Sequence, residues 1–155
     1  MEKLTMCGYC CELCKAYTPN IKKLDQREIL SKIWMKYYNL DIKPEDIYCE
    51  GCRCERKDAK RIDKDCPVRR CVIMNDLEHC GHCDKYPCDT FSQREGLSCQ
   101  LAKNNPDFIQ DEYDEFLIAF DNKTRLDDFV RNVAETNSVC EKNMNIWRIT
   151  FYEKT

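Results

Sequence analysis

Apolar residues recur at helical spacing in a few stretches of the chain and are sparse between them. Ile29, Leu30, Ile33, Trp34 and Tyr37 fall on one face if residues 25–38 are helical. Asp25 with Glu28 three residues later resembles a capping box, and Leu24 is placed to act as its hydrophobic staple. The spacing therefore predicts a helix over Asp25–Tyr38, with Trp34 and the tyrosines as core. Pro44-Glu45-Asp46 predicts one short helical turn that delivers the chain to Cys49. Further on, Asn105-Pro106 reads as an N-cap and first helical residue, followed by Ile109, Tyr113, Phe116, Leu117 and Phe120 on one side. A second helix, from about Thr124 to Glu135, aligns Leu126, Phe129, Val130 and Val133. Joined by Asp121-Asn122-Lys123, the two are expected to pair antiparallel. Trp147 to Phe151 alternates as a strand does.

These elements leave the first half of the chain short of core material. Leu, Ile, Val and Phe together make up close to a fifth of the 155 residues, near the level at which chains stay disordered. A third of the residues are charged and the mean hydropathy is −0.70, so something besides apolar burial must hold this half together. Cysteine is the candidate: of 14 in the chain, all but Cys99 and Cys140 fall between Cys7 and Cys88. The expected organisation is one domain over 1–155, with a cysteine-rich half at about 1–91 and a helical half at about 92–155. No repeat or Gly/Ser linker separates them.

An even number of cysteines in a short chain also suits a secreted disulfide scaffold. Against that, Met1 to Met6 leads straight into Cys7 and leaves no room for an apolar signal segment. No stretch approaches the ~20 apolar residues that cross a membrane. A cytoplasmic location is therefore expected, in which thiols stay reduced and bind metal at short spacing.

The spacings favour metal directly. Cys7-Gly8-Tyr9-Cys10, Cys11-Glu12-Leu13-Cys14, Cys49-Glu50-Gly51-Cys52 and Cys80-Gly81-His82-Cys83 each place two residues between thiols. That interval lets both sulfurs reach one tetrahedral ion while the backbone turns around it. The turn often needs a positive φ, and three of the protein's four glycines, Gly8, Gly51 and Gly81, sit inside these pairs. Cys66 and Cys71 form a wider pair, and Cys88 follows Tyr86-Pro87.

The sequence here resembles a prokaryotic cysteine-rich family, domain of unknown function 3795. The resemblance is carried by Cys7-Gly8, Cys11 and Cys14 with Ala16-Tyr17, by Cys49-Glu50-Gly51-Cys52, by Cys66 to Cys71, and by Cys80-x-x-Cys83-x-x-Tyr86-Pro87-Cys88. It spans about 6–91 and extends only loosely to the second half. The family is regarded as metal-binding, with zinc as the expected ion, and has no assigned activity. In that frame Cys7, Cys11 and Cys14 form the N-terminal trio, while Cys10 and Cys54 are extras. The metal ligands expected are Cys7, Cys11, Cys14, Cys49, Cys52, Cys66, Cys71, Cys80, Cys83 and Cys88. The pairing expected joins Cys49, Cys52, Cys80 and Cys83 in one site. The second site takes Cys7, Cys11 and Cys14 with a fourth thiolate from Cys66, Cys71 or Cys88. Cys99 and Cys140, with no cysteine nearby, are expected to stay free.

The fold class expected is a small, mainly α, metal-stapled domain with little β structure. The function expected is non-enzymatic zinc binding, structural in purpose, with a protein partner. One alternative is an iron–sulfur electron-transfer or redox-sensing protein, since four thiolates also hold clusters. The trio Cys7-x3-Cys11-x2-Cys14 has the spacing of radical S-adenosylmethionine enzymes, but the chain is too short for their barrel-like fold. The other alternative is a metal-dependent enzyme with an open coordination position. His79 and His82 are read as neighbours of the thiols rather than ligands. Residues 53–70 carry eight basic side chains against four acidic ones, within a chain of net charge −3. Charge balance for thiolates explains this run better than nucleic acid does, because a nucleic-acid module is more often basic overall. The acidic run 107–128 reads as solvated helix faces.

Overall fold

The protein is described by a computed structural model over residues 4–94 and 99–136. The expected strand at Trp147–Phe151, and Cys140, lie outside these residues. Within them the chain is small, cysteine-rich and mainly helical, as its patterning predicts. Pairing of extended chain is limited to two isolated bridges, Leu4 with Cys10 and Tyr17 with Cys49. The helices are α1 (Thr18–Lys23), α2 (Arg27–Tyr38), α3 (Pro67–Met74), α4 (Asp89–Ser92), α5 (Cys99–Lys103), α6 (Gln110–Glu112) and α7 (122–136). α6 runs on through a π turn, Tyr113–Leu117, and a 3-10 turn, Ile118–Phe120. The turn expected at Pro44–Asp46 forms as a 3-10 turn.

α2 buries the expected face, Leu30, Ile33, Trp34 and Tyr37, and ends at Asn39 in the left-handed region, φ 52°. The Asn39 N–H closes the helix on the Trp34 and Met35 carbonyls. Its start departs from expectation. α1 lies just upstream, so Leu24 and Asp25 form part of a short link instead of a capping box. Asp25 Oδ1 accepts from the Arg27 N–H at 3.1 Å, its carboxylate pairs with the Arg27 guanidinium, and Leu24 stays 64% exposed.

Two cores result, and both draw on distant parts of the chain. The first joins the α2 face and Ala16 and Ile47 to Ala102, Tyr113, Phe116, Leu117 and Phe120. The second joins Cys7, Cys66, Val68, Val72, Cys80 and Phe91 to Leu126 of α7. Tyr9 packs against both, with its ring edge-on to Phe120 at 5.4 Å.

The second half corrects the expected helical hairpin. Asn105 is not an N-cap: its Oδ1 accepts from the Asp107 N–H at 2.9 Å, and its Nδ2 donates to the Lys36 carbonyl. It is spent on an Asx turn and on the end of α2, so the helix starts later, at Gln110. The apolar faces of the two helices also serve different cores. Phe116, Leu117 and Phe120 enter the first, Leu126 enters the second, and Val130 and Val133 stay 38% and 42% exposed. The Arg125 guanidinium fills the corner between them by donating to the Ile118 and Asp121 carbonyls. Buried Asn122 sets this direction, because its Nδ2 donates to the Cys7 carbonyl at 3.0 Å.

Gly8 makes this docking possible. It has φ +90°, and a Cβ there would lie 2.7 Å and 2.9 Å from Leu126 side-chain carbons. Gly8→Ala is expected to destabilise the protein by about 1–3 kcal/mol, and Leu126→Ala by about 2–5 kcal/mol. In a double-mutant cycle read by urea unfolding, the two costs are expected to fall short of additive, since truncating Leu126 makes room for the new methyl. Strict additivity would show that the two positions do not meet.

Candidate metal centre

The cysteine turns are built by hydrogen bonds rather than by apolar packing. Cys11–Leu13 is a 3-10 turn, held by Asn20, whose Nδ2 donates to the Cys11, Glu12 and Cys14 carbonyls. The bridge at Tyr17 and Cys49 brings the Cys49–Cys52 knuckle alongside: Cys49 N–H donates to the Ala16 carbonyl at 2.9 Å and Thr18 N–H to the Cys49 carbonyl at 2.8 Å. Gly51, φ +89°, leaves space beside the Tyr17 ring and the Cys11 sulfur that a side chain would narrow.

Cys11, Cys14, Cys49 and Cys52 are thereby brought together. Burial pushes the Cys11 thiol up to about 12, helped by Cys14 and Cys49. Cys14 is also pushed up to about 12 by burial, with Cys49 contributing, although the Ala16 and Tyr17 N–H groups pull the other way. Cys52 reaches about 12 through burial and the proximity of Cys11 and Cys49. Cys10 lies at the edge of the group and adds to the shifts at Cys11 and Cys14.

A second group gathers around the other knuckle. Cys71 lies on α3, Cys80 and Cys83 flank a 3-10 turn at Cys80–His82, and Cys88 precedes α4. These four line one small cavity of about 20 Å³, shared with Val72, Leu77, Tyr86, Thr90 and Phe91. The Cys80 thiol is pushed up to about 12 by burial, then by Cys88, Cys71 and Cys83. Both groups are neighbourhoods of thiols and not formed coordination shells. Among the described residues, no three or more Cys, His, Asp or Glu side chains are arranged to hold an ion as they stand. None of the 12 cysteines from Cys7 to Cys88 is in a disulfide.

The grouping differs from the expected pairing. Cys49 and Cys52 lie with Cys11 and Cys14, whereas Cys80 and Cys83 lie with Cys71 and Cys88. The physical reason is the strap at Tyr17–Cys49, which spends the first knuckle on the N-terminal turn before the second can reach it. Cys7 is also drawn away from Cys11 and Cys14. Its side chain hydrogen bonds with Cys66, and that contact followed by burial pushes Cys7 well above the usual thiol range. Cys66 is correspondingly lowered to about 6 by the Cys7 contact, with the Arg69 N–H and the Arg94 side chain adding to it. Of the ten expected ligands, eight fall into two quartets and two form a separate pair.

Sequence reasoning missed Arg94, Asn20 and Thr5. Arg94 donates to Cys66, pairs with Asp63 at 2.8 Å, and accepts the Tyr9 hydroxyl on its carbonyl. Thr5 Oγ1 lies 3.4 Å from the Cys7 sulfur. No spacing rule marks these residues, because each partner is remote or of the wrong type for a motif. The basic run was noticed; from it, Arg69 pulls against the net rise of the Cys52 thiol. The histidines cap and cover. His79 Nδ1 accepts from the Gly81 N–H at 3.1 Å, and burial with His82 nearby lowers His79 to about 4.

Phe129 of α7 closes over this knuckle, 4.6 Å from His79 and 4.8 Å from His82 between ring centroids. Phe129→Ala is expected to lower stability by about 2 kcal/mol, less than a fully buried Phe because it is half-buried. Val133→Ala, one turn further and exposed, is expected to change it by less than about 0.5 kcal/mol. Equal losses in thermal unfolding would mean that α7 docks along its whole length.

Gly81 shows the same docking from the other side, since a Cβ there would lie 2.8 Å from the Phe129 ring. No curated protein and no solved structure matches the chain. The family model described as a protein of unknown function (DUF3795) matches residues 3–93, more than half of the sequence, and the chain belongs to that family.

Proposed function

We propose that this protein is a non-enzymatic zinc protein whose metal is structural, held by Cys11, Cys14, Cys49 and Cys52 at one site and by Cys71, Cys80, Cys83 and Cys88 at the other. The observation that carries the reading is the second quartet: four thiols from three chain segments line one small, apolar-walled cavity. The donor set suits zinc, which takes four thiolates in closed structural sites, and neither quartet contains a carboxylate. Burial first, and neighbouring thiols after it, disfavour the thiolate form of Cys11, Cys14, Cys52 and Cys80, so four thiolates together would need a cation among them. Binding free energy at such sites is folding free energy, which offsets the shortage of apolar residues in the first half.

Stoichiometry tests the pairing. Elemental analysis of anaerobically prepared protein is expected to find two zinc ions per chain. Cys11→Ser and Cys49→Ser, alone or together, are expected to cost one ion, and Cys49→Ser with Cys80→Ser to cost both. Loss of a single ion from the last variant would put those two cysteines in one site and overturn the assignment. Iron with labile sulfide in place of zinc would overturn the identity of the metal.

Proton linkage gives a second test. Thiols raised to about 12 are protonated at neutral pH, so a cation must displace their protons and its affinity falls as pH falls. Loading two ions onto eight thiols at pH 7 is expected to release about eight protons. Calorimetry in buffers of different ionisation enthalpy reads that number, and release of far fewer would count against tetrathiolate binding.

A further inference from the structure

Five cationic side chains of the basic run, Arg53, Arg56, Lys57, Arg61 and Arg69, line one surface cleft of about 630 Å³, against a single acid, Glu55. Arg56 is paired with Glu50. Among the described residues no carboxylate lies within ion-pair distance of Arg53, Lys57, Arg61 or Arg69. Backbone carbonyls hold two of the guanidinium groups instead. Arg53 donates from Nε to Leu4 at 3.0 Å and from Nη2 to Glu78 at 2.8 Å. Arg61 donates from Nη1 to Ala59 at 3.2 Å and from Nη2 to Cys54. Carbonyls fix these side chains without cancelling their charge, and a guanidinium carries more donors than such bonds use. Arg61 Nε and Arg69 Nη1 are shielded from solvent and have no hydrogen-bond partner, so part of each charge is also withdrawn from water. Thiolate charge does not answer this cluster: the thiols on the cleft wall are Cys52 and Cys54, and Cys54 belongs to neither quartet.

We propose that this cleft binds a small phosphate ester, its phosphate on the Arg53, Arg61 and Arg69 guanidinium groups and its organic part against Met6 and Ile73. One guanidinium fork matches a carboxylate, whereas the several terminal oxygens of a phosphate take several forks at once. Attraction to a half-buried guanidinium exceeds attraction to one in bulk water, because the local dielectric is lower. The Arg53 and Arg61 side chains are already held, so binding costs little of their rotamer freedom. Met6 and Ile73 supply apolar wall beside the cations, and Ile73 is 57% exposed. The cleft volume falls in the range of small-molecule sites. A polynucleotide matches less well, because the chain is acidic overall, with net charge −3, and a nucleic-acid module is more often basic. This site is additional to the proposed metal sites and independent of them, since arginine stays charged whether or not the quartets hold zinc.

The test is calorimetric titration of the full chain, reduced and prepared anaerobically in phosphate-free buffer, with phenyl phosphate, inorganic phosphate and phenol as probes. Phenyl phosphate is expected to bind once per chain and more tightly than inorganic phosphate, which competes with it, while phenol does not bind. Absence of saturable phenyl phosphate binding, or equal affinity for inorganic phosphate, overturns the inference. Arg61→Gln and Arg69→Gln are each expected to weaken phenyl phosphate binding by about tenfold or more, the loss of a charge-assisted hydrogen bond. Arg61→Lys is expected to weaken it too, because the charge remains but the fork is lost. Arg131 pairs with Asp128 on α7 and does not line the cleft, so Arg131→Gln is expected to leave binding unchanged. An equal loss in Arg131→Gln marks general surface charge and overturns the site. Zinc content, measured on each variant, is expected to match the wild type. Loss of zinc from Arg61→Gln and Arg69→Gln assigns these guanidinium groups to the thiolates, and the inference fails. A single-stranded oligonucleotide that binds more tightly than phenyl phosphate, and is lost in the same variants, makes the cleft a polynucleotide surface and overturns the small-molecule assignment. The wild-type titrations decide even if a variant does not fold.

Discussion

Hydrogen bonds to the backbone of residues 4–10 tie the remote parts of this chain to one strand-like segment. Arg53 Nε donates to the Leu4 carbonyl, Cys80 N–H to Met6, and Asn122 Nδ2 to Cys7, while Cys10 N–H donates to the Ala119 carbonyl. The partners lie from 49 to 115 positions away, for Arg53 and Asn122 respectively. A backbone group buried without a partner is costly, so each of these bonds fixes where a whole segment sits. With a thin apolar inventory, the position of this strap decides which side chains can become core at all.

The two cores follow from it. Tyr9 faces the aromatic cluster at Phe120 and Trp34 on one side and the sulfur-containing core on the other. The first core is ordinary apolar packing between α2 and the turns through Phe120. The second contains Cys7, Cys66 and Cys80 beside Val68, Val72, Phe91 and Leu126, so thiols there serve as packing groups as well as chemical ones. That dual use is why the cysteine-rich and helical halves are not separate in space: Leu126 and Phe129 of α7 complete the cysteine side, while α2 completes the other.

Positive charge is distributed to match. Arg53 donates to the Leu4 and Glu78 carbonyls and so joins three segments near the thiols. Arg94 serves Cys66, and Arg69 acts on Cys52. Buried nitrogens of Arg61, Arg69 and Arg94 have no hydrogen-bond partner. Guanidinium groups held this way favour negative charge on nearby sulfur, and Arg69 and Arg94 offset part of the burial that otherwise holds the thiols neutral. The basic run at 53–70 thus has a local use, within the cysteine side of the molecule.

Local rules were enough for the mainly helical class, the buried face of α2, the 3-10 turn at Pro44–Asp46 and the positive φ of Gly8 and Gly51, because each depends on contacts within a few residues. The same rules misplaced the start of α2 and the helix after Asn105. There a side chain had two possible partners, and the tertiary one or the neighbouring turn won. Gly81 shows another limit: it needs no positive φ, but the space a Cβ would take is occupied by Phe129, which no local pattern reveals. The sequence by itself determined that thiols come in close pairs, since two intervening residues dictate a turn. Which pairs meet was decided only by tertiary structure. Pairing needs long loops to close, and the Tyr17–Cys49 bridge and the strap at residues 4–10 close them in a way that thiol spacing does not encode.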